Sequence, residues 1–220
     1  MSELDIDDMD RRIARFEARA SEHERAGGAS LETALTILIT GALGLLSSVM
    51  LILSELTYFQ NPNASLICDV NPLIGCSKYF DAWQGHLFFG MPNAMFGAMF
   101  FAGILALGLV LVSGGTLHRW LWVATLAGAG AGMAWVVWFG YQSYVVNRSL
   151  CPFCLGAWIA TIPLFVTLLA RTAQAGHLGE GAEAFGSALV RNRWIVVGVI
   201  YLLLVVFTVV WFWDSWALVF

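Results

Sequence analysis

The chain has 220 residues, 59% of them hydrophobic and only 12% charged, with a formal net charge of −4. A composition so apolar, with its charges gathered between long blank runs, excludes an ordinary soluble domain and reads as a polytopic membrane protein. Mild acidity without a basic stripe gives a nucleic acid nothing to hold, and none is expected as a partner.

Residues 1–29 mix acids and bases without the apolar core of a secretory signal, so they are expected to form a cytoplasmic tail ahead of a first span that acts as its own insertion signal. Within the tail, Ile6, Met9, Ile13 and Phe16 recur at helical spacing and allow a short amphipathic helix. Gly27 and Gly28 break it, and Ser30 is placed to cap the first span.

Five runs, about 31–54, 90–112, 120–139, 152–170 and 194–213, are long and apolar enough to cross a bilayer. They predict an all-α membrane protein: a bundle over 30–171 with an external loop at 55–90, a cytoplasmic loop at 172–192, and a fifth transmembrane helix at 193–220. That fifth span carries no cysteine and no expected buried polar group, so it is placed at the edge of a four-helix core. The small residues Ala94, Gly97, Ala98, Ala102 and Gly103 of the second span, and the run Ala127–Gly132 of the third, are read as helix-packing positions.

Lys and Arg in the short flanks set the orientation. Arg11, Arg12, Arg15, Arg19, Arg25, Arg119, Arg171, Arg191 and Arg193 fall on one side, and only Lys78 and Arg148 on the other. The N-terminus is therefore expected in the cytoplasm, in a plasma or inner membrane, with loop 55–90 outside. That loop begins turn-rich and ends in the aromatics Tyr79, Phe80, Trp83, Phe88 and Phe89, which suit the bilayer surface or a cap over the bundle. No Asp, Glu, Lys or Arg falls in the middle of a span, which argues against an intramembrane carboxylate relay. Protons for any chemistry in the bundle would then come from thiols or from the external surface, where Glu55, Asp69, Asp81 and His86 are available, each read first as a solvated or capping group.

The chemistry centres on Cys151-Pro152-Phe153-Cys154 at the front of the fourth span. Pro152 suits the first position of a helix, which makes Cys151 the cap and puts Cys154 in the first turn. Sulfurs three residues apart share a helix face, and the positive end of the helix dipole favours a thiolate. One thiolate can attack a partner sulfur and the other can resolve the mixed disulfide.

The other two cysteines, Cys68 and Cys76, lie in loop 55–90, so all four are expected on the face where disulfides persist. Structural disulfides and a four-cysteine metal site are the alternatives. The seven residues between Cys68 and Cys76 exceed the usual metal-ligand spacing, and no metal is expected. Two pairs permit a relay, in which the loop pair carries electrons between a soluble protein and a membrane-embedded pair. A quinone in the bundle is the natural lipid-phase acceptor.

Cys68-Asp69-Val70, Cys76-Ser77, Asn93-Ala94-Met95-Phe96-Gly97 and Cys151-Pro152-Phe153-Cys154, in that order over about 31–170, resemble the vitamin K epoxide reductase family, particularly its bacterial members. The resemblance implies a four-helix bundle around a quinone of menaquinone, ubiquinone or vitamin K type, with a thioredoxin-like (DsbA-like) protein as a separate partner. It makes Cys151 and Cys154 the active-site pair, with Cys154 facing the quinone. Cys76 becomes the loop cysteine that exchanges with Cys151, and Cys68 the one that meets the partner. It gives Asn93 a hydrogen bond to a quinone oxygen, while the residues alone also allow Asn93 to cap the second helix after Pro92. Vertebrate members carry Tyr four residues after the second active-site cysteine. Here Trp158 takes that place as a quinone contact of different shape.

The expected function is a membrane thiol:quinone oxidoreductase that reoxidises the partner and so supports disulfide formation. A vitamin K epoxide or quinone reductase that supplies hydroquinone, and a scaffold with structural disulfides, are the alternatives.

Overall fold

The computed structural model describes residues 20–61, 64–87 and 89–216. The segment with Ile6, Met9, Ile13 and Phe16, whose spacing allows an amphipathic helix, lies outside them, as does Phe88. Five helices dominate: α1 Leu31–Gln60, α2 Asn93–Val112, α3 Arg119–Tyr141, α4 Pro152–Gln174 and α5 Glu183–Trp211. Each is long and apolar enough to cross a membrane. Among the described residues there is no β-sheet, only one isolated parallel bridge between Ile74 and Leu150. The protein is an all-α membrane protein.

Ser30 starts α1, its hydroxyl accepting from the Thr33 N–H. The backbones of α1 and α2 nearly touch. A Cβ on Gly41 would strike the backbone of Leu105, one on Gly108 that of Leu38, and one on Gly44 the ring of Phe101. Of the small residues singled out in the second span, Gly97 does lie against α1, at Ser48, whereas Gly103 faces open space. α4 packs on α1 and α3, and α5 packs on α4. α2 and α3 make little direct backbone contact, which leaves room between them.

Three helices overrun their expected ends for one reason: the charged residues that suggested boundaries are buried and paired. Glu55 is 6% exposed, in a hydrogen bond to His86, and α1 continues past it to Gln60. Arg171 is buried inside the last turns of α4 and stacks over the Trp122 ring, 4.5 Å from its centroid. Its guanidinium donates to the carbonyls of Glu24 and Gly28. Gly27, at φ 101°, folds this N-terminal segment beneath the bundle, where its carbonyl accepts from Leu117 N and Trp122 Nε1, each at 2.9 Å.

Arg193 lies inside α5, which starts well ahead of the expected position, at Glu183. It pairs with Glu32 of α1, and Trp194 Nε1 donates to the same carboxylate at 2.6 Å. The fifth helix therefore carries a buried polar group after all. Its apolar face is otherwise open to lipid, with Ile195, Leu202, Leu203 and Val210 exposed.

Pro163 sits inside α4 and supplies no N–H to the carbonyl of Ile159 one turn earlier. That carbonyl accepts instead from the Tyr201 hydroxyl of α5 at 2.7 Å. A neighbouring helix thus satisfies a backbone group that hydrocarbon could not.

Tyr201→Phe is expected to cost about 1 kcal/mol, the usual scale for an interhelical hydrogen bond in a membrane. Arg171→Ala removes hydrogen bonds from a charged donor and is expected to cost about 3 kcal/mol. Denaturant unfolding in detergent measures both, and equal midpoints for the two variants and the wild type would contradict the assignment.

Candidate active site

At the other end of the bundle from Arg171 and Arg193, the segment joining α1 to α2 lies across the helices and carries a disulfide between Cys68 and Cys76, with Cα atoms 5.7 Å apart. Local polar contacts fix its shape. Asp69 Oδ1 accepts from the Cys76 N–H at 2.7 Å and from Ser77 at 3.2 Å. Asn71 Oδ1 accepts from Leu73 and Ile74, an Asx turn of the kind its short side chain favours.

The loop is then zipped to the segment ahead of α4. Leu150 N donates to Leu73 O at 2.8 Å, and Gly75 N to Leu150 O at 3.0 Å. Ser149 Oγ also donates to Leu73 O, and the Tyr79 hydroxyl donates to Ser149 O at 2.5 Å. This register brings Cys76 Sγ to within 3.3 Å of Cys151 Sγ.

Cys151 caps α4 with Pro152 behind it, and its sulfur accepts from the Cys154 N–H at 3.3 Å. Cys151 and Cys154 are free thiols here, while the loop pair is closed. Burial works against a Cys151 thiolate, but hydrogen bonds from the Cys154 thiol and from the Cys154 and Phe153 N–H groups outweigh it and hold the thiol below its ordinary range. Burial pushes the Tyr79 phenol well above the usual tyrosine range, so it stays a neutral donor.

Cys68, Cys76 and Cys151 are at most 2% exposed, so these three sulfurs are sealed from water. Ile67 and Val70, on either side of Cys68, are the exposed apolar residues nearest to it in sequence.

Cys154 faces a cavity of about 430 Å³ lined by α1, α2, α3, α4 and the loop. Its walls are largely aromatic and small: Phe96, Phe100, Trp135 and Phe139 around Gly97, Gly128, Ala131 and Gly132. The glycines read as packing positions therefore also make space. Trp158 forms part of the wall and packs against Tyr144, with centroids 6.4 Å apart.

Asn93 lines the cavity too, but it does not cap α2, whose N-cap is Pro92. Its Nδ2 donates to Gln84 O at 2.5 Å and its Oδ1 accepts from Leu87 N at 3.0 Å, which ties the aromatic end of the loop to α2. The nitrogen carries a second hydrogen that can serve a ligand. Glu55, read from the sequence as a surface group, is buried in the cavity wall. Its partner His86 is 31 residues away, so no local pattern could have flagged the pair. Among the described residues, no three His, Cys, Asp or Glu side chains gather as a metal site.

A family model described as the vitamin K epoxide reductase family matches residues 35–169. The chain belongs to that family. Vitamin K epoxide reductase relatives are membrane oxidoreductases of the thiol–quinone and vitamin K epoxide class and act with quinones. A flat ring with two polar oxygens fits what the cavity provides: an apolar body, an amide donor at Asn93 and a thiol at Cys154. The match runs from α1 to the last turns of α4 and stops before α5.

With the loop disulfide intact, only Cys151 and Cys154 titrate as thiols. Cys154→Ala removes the thiol donor that favours the Cys151 thiolate, so the Cys151 titration is expected to move to higher pH. Ultraviolet thiolate absorbance against pH checks this, and an unchanged or lower midpoint would contradict it.

Proposed function

We propose that this protein is a membrane thiol:quinone oxidoreductase that reoxidises a separate thioredoxin-like protein outside the cytoplasm. The observation that carries the reading is the 3.3 Å approach of Cys76 Sγ to Cys151 Sγ, with Cys154 in the cavity wall one helical turn on. The flanking Lys and Arg support an orientation with the N-terminus in the cytoplasm and all four cysteines outside.

In the relay, the partner's dithiol reduces Cys68–Cys76 and leaves as a disulfide. The Cys76 thiolate then attacks Cys151 of a closed Cys151–Cys154 pair, forming a Cys76–Cys151 bond and expelling the Cys154 thiolate. Cys68 resolves that bond, which recloses Cys68–Cys76 and leaves Cys151 and Cys154 reduced. The structure has this arrangement of one disulfide and two thiols.

A quinone held in the cavity supplies a two-electron, two-proton acceptor. Cys151 and Cys154 close to a disulfide as they give up their electrons. Asn93 and Trp158 orient the ring, and the aromatic walls exclude water.

Quinone reduction by the purified protein, driven by a reduced thioredoxin-like dithiol, tests the scheme. Wild type is expected to turn over, and Cys151→Ala and Cys154→Ala to be inactive. Cys76→Ala is expected to fail with the protein donor yet work with a small membrane-permeable dithiol. In a Cys68→Ala, Cys154→Ala double variant treated with oxidised glutathione as the disulfide donor, a Cys76–Cys151 disulfide is expected to accumulate and be seen by peptide mass mapping. If wild type and the single variants behave alike, the cysteines are structural and the relay is wrong.

A further inference from the structure

We propose that Glu55 and His86 form the proton path of the cavity, with Glu55 the acid that hands a proton to the bound substrate and His86 the group that recharges it from the surface. This rests on the reading that the cavity takes a quinone. Glu55 is buried near the end of α1, and its side chain is part of the cavity wall together with Gly85 and Asn93. Its Oε1 meets His86 Nε2 at 2.7 Å. His86 keeps 22% of its side-chain surface in solvent and lies beside the exposed Phe59. A carboxyl that lines an apolar chamber on one side and touches a part-exposed imidazole on the other joins that chamber to water through two side chains.

Proton balance gives the pair its task. Reduction of a quinone to a hydroquinone takes up two electrons and two protons. A thiol and a thiolate closing to a disulfide release two electrons but only one proton. The Cys154 N–H on the Cys151 sulfur, at the N-terminus of α4, favours the thiolate, and in the proposed path the pair reacts from Cys151 as thiolate and Cys154 as thiol. One proton must then come from elsewhere.

The titratable groups in the cavity wall are Glu55 from α1, Tyr79 from the loop and Cys154 from α4, and α2 and α3 contribute none. Tyr79 is committed to Ser149 O. The neighbouring Tyr58 and Asp81 hold each other at 2.5 Å and are not part of the wall. Glu55 remains. As the neutral acid it donates and becomes a carboxylate, the imidazolium of His86 reprotonates it, and His86 is refilled from water. One proton drawn from water replaces the one Cys151 lost on ionising.

Glu55→Gln and His86→Gln in lipid nanodiscs, with a soluble naphthoquinone as the probe, test the path. Binding is read from quenching of tryptophan fluorescence, and reduction from a single turnover of pre-reduced protein. In Glu55→Gln, binding is expected to stay within about twofold of wild type while the rate falls about 10²-fold, the scale of general acid catalysis. The infrared difference spectrum between dithiol and disulfide forms should lose a carboxyl band present in wild type. His86→Gln is expected to be slowed and then restored by added imidazole. The wild-type rate should fall as pH rises, because the acid form is the one required, and that dependence should vanish in Glu55→Gln.

A wild-type rate in Glu55→Gln, or a carboxyl band that survives the substitution, overturns the proton path. So does loss of naphthoquinone binding in both variants, which would make the pair a wall contact. A wild type that binds no naphthoquinone overturns the cavity reading, and this proposal with it.

Discussion

The short backbone zipper between Leu73–Gly75 and Leu150 is the constraint on which the site depends. Cys76 and Cys151 are far apart in sequence, and a flexible loop would bring their sulfurs together only rarely. Two backbone hydrogen bonds, reinforced by Ser149 Oγ and the Tyr79 hydroxyl, fix the register. The energy involved is modest for each bond, but what the bonds supply is position. The same zipper buries the sulfurs, so geometry and exclusion of water come from one set of contacts.

Around it, the helices divide the work. α1 and α2 are locked together at backbone distance by Gly41 and Gly108, while α2 and α3 stand apart and leave the cavity. Close approach in one place provides the rigidity that lets a gap persist in another. The opposite end is closed by Arg171, which donates to carbonyls of the N-terminal segment, and by Arg193, which pairs with Glu32.

Much of this was legible in the sequence. Twenty-residue apolar runs admit one solution in a bilayer, so the number and order of the helices followed from hydropathy. Their ends did not, because Glu55, Arg171 and Arg193 look like boundaries until their partners are known. The local motif around Cys151 was readable because capping by Cys151 and Pro152 depends on neighbours in the chain. The two hydrogen bonds of Asn93 to the loop and the pairing of Glu55 with His86 were not, since they join residues of different elements that only the fold brings together. Small residues were ambiguous in principle, because a glycine that admits a helix and one that admits a ligand leave the same signature.

The burial of Cys68 has a consequence for electron traffic. A disulfide open to solvent equilibrates with whatever small thiols are present, and its redox state follows the bulk. One that is 1% exposed is kinetically insulated from that pool. Only a reagent able to lift the loop, by binding a surface such as the one Ile67 and Val70 offer, can reach it. In the relay we propose, selectivity among donors resides in the work of opening the loop and not in the reduction potential, so two donors of equal potential would be served at different rates.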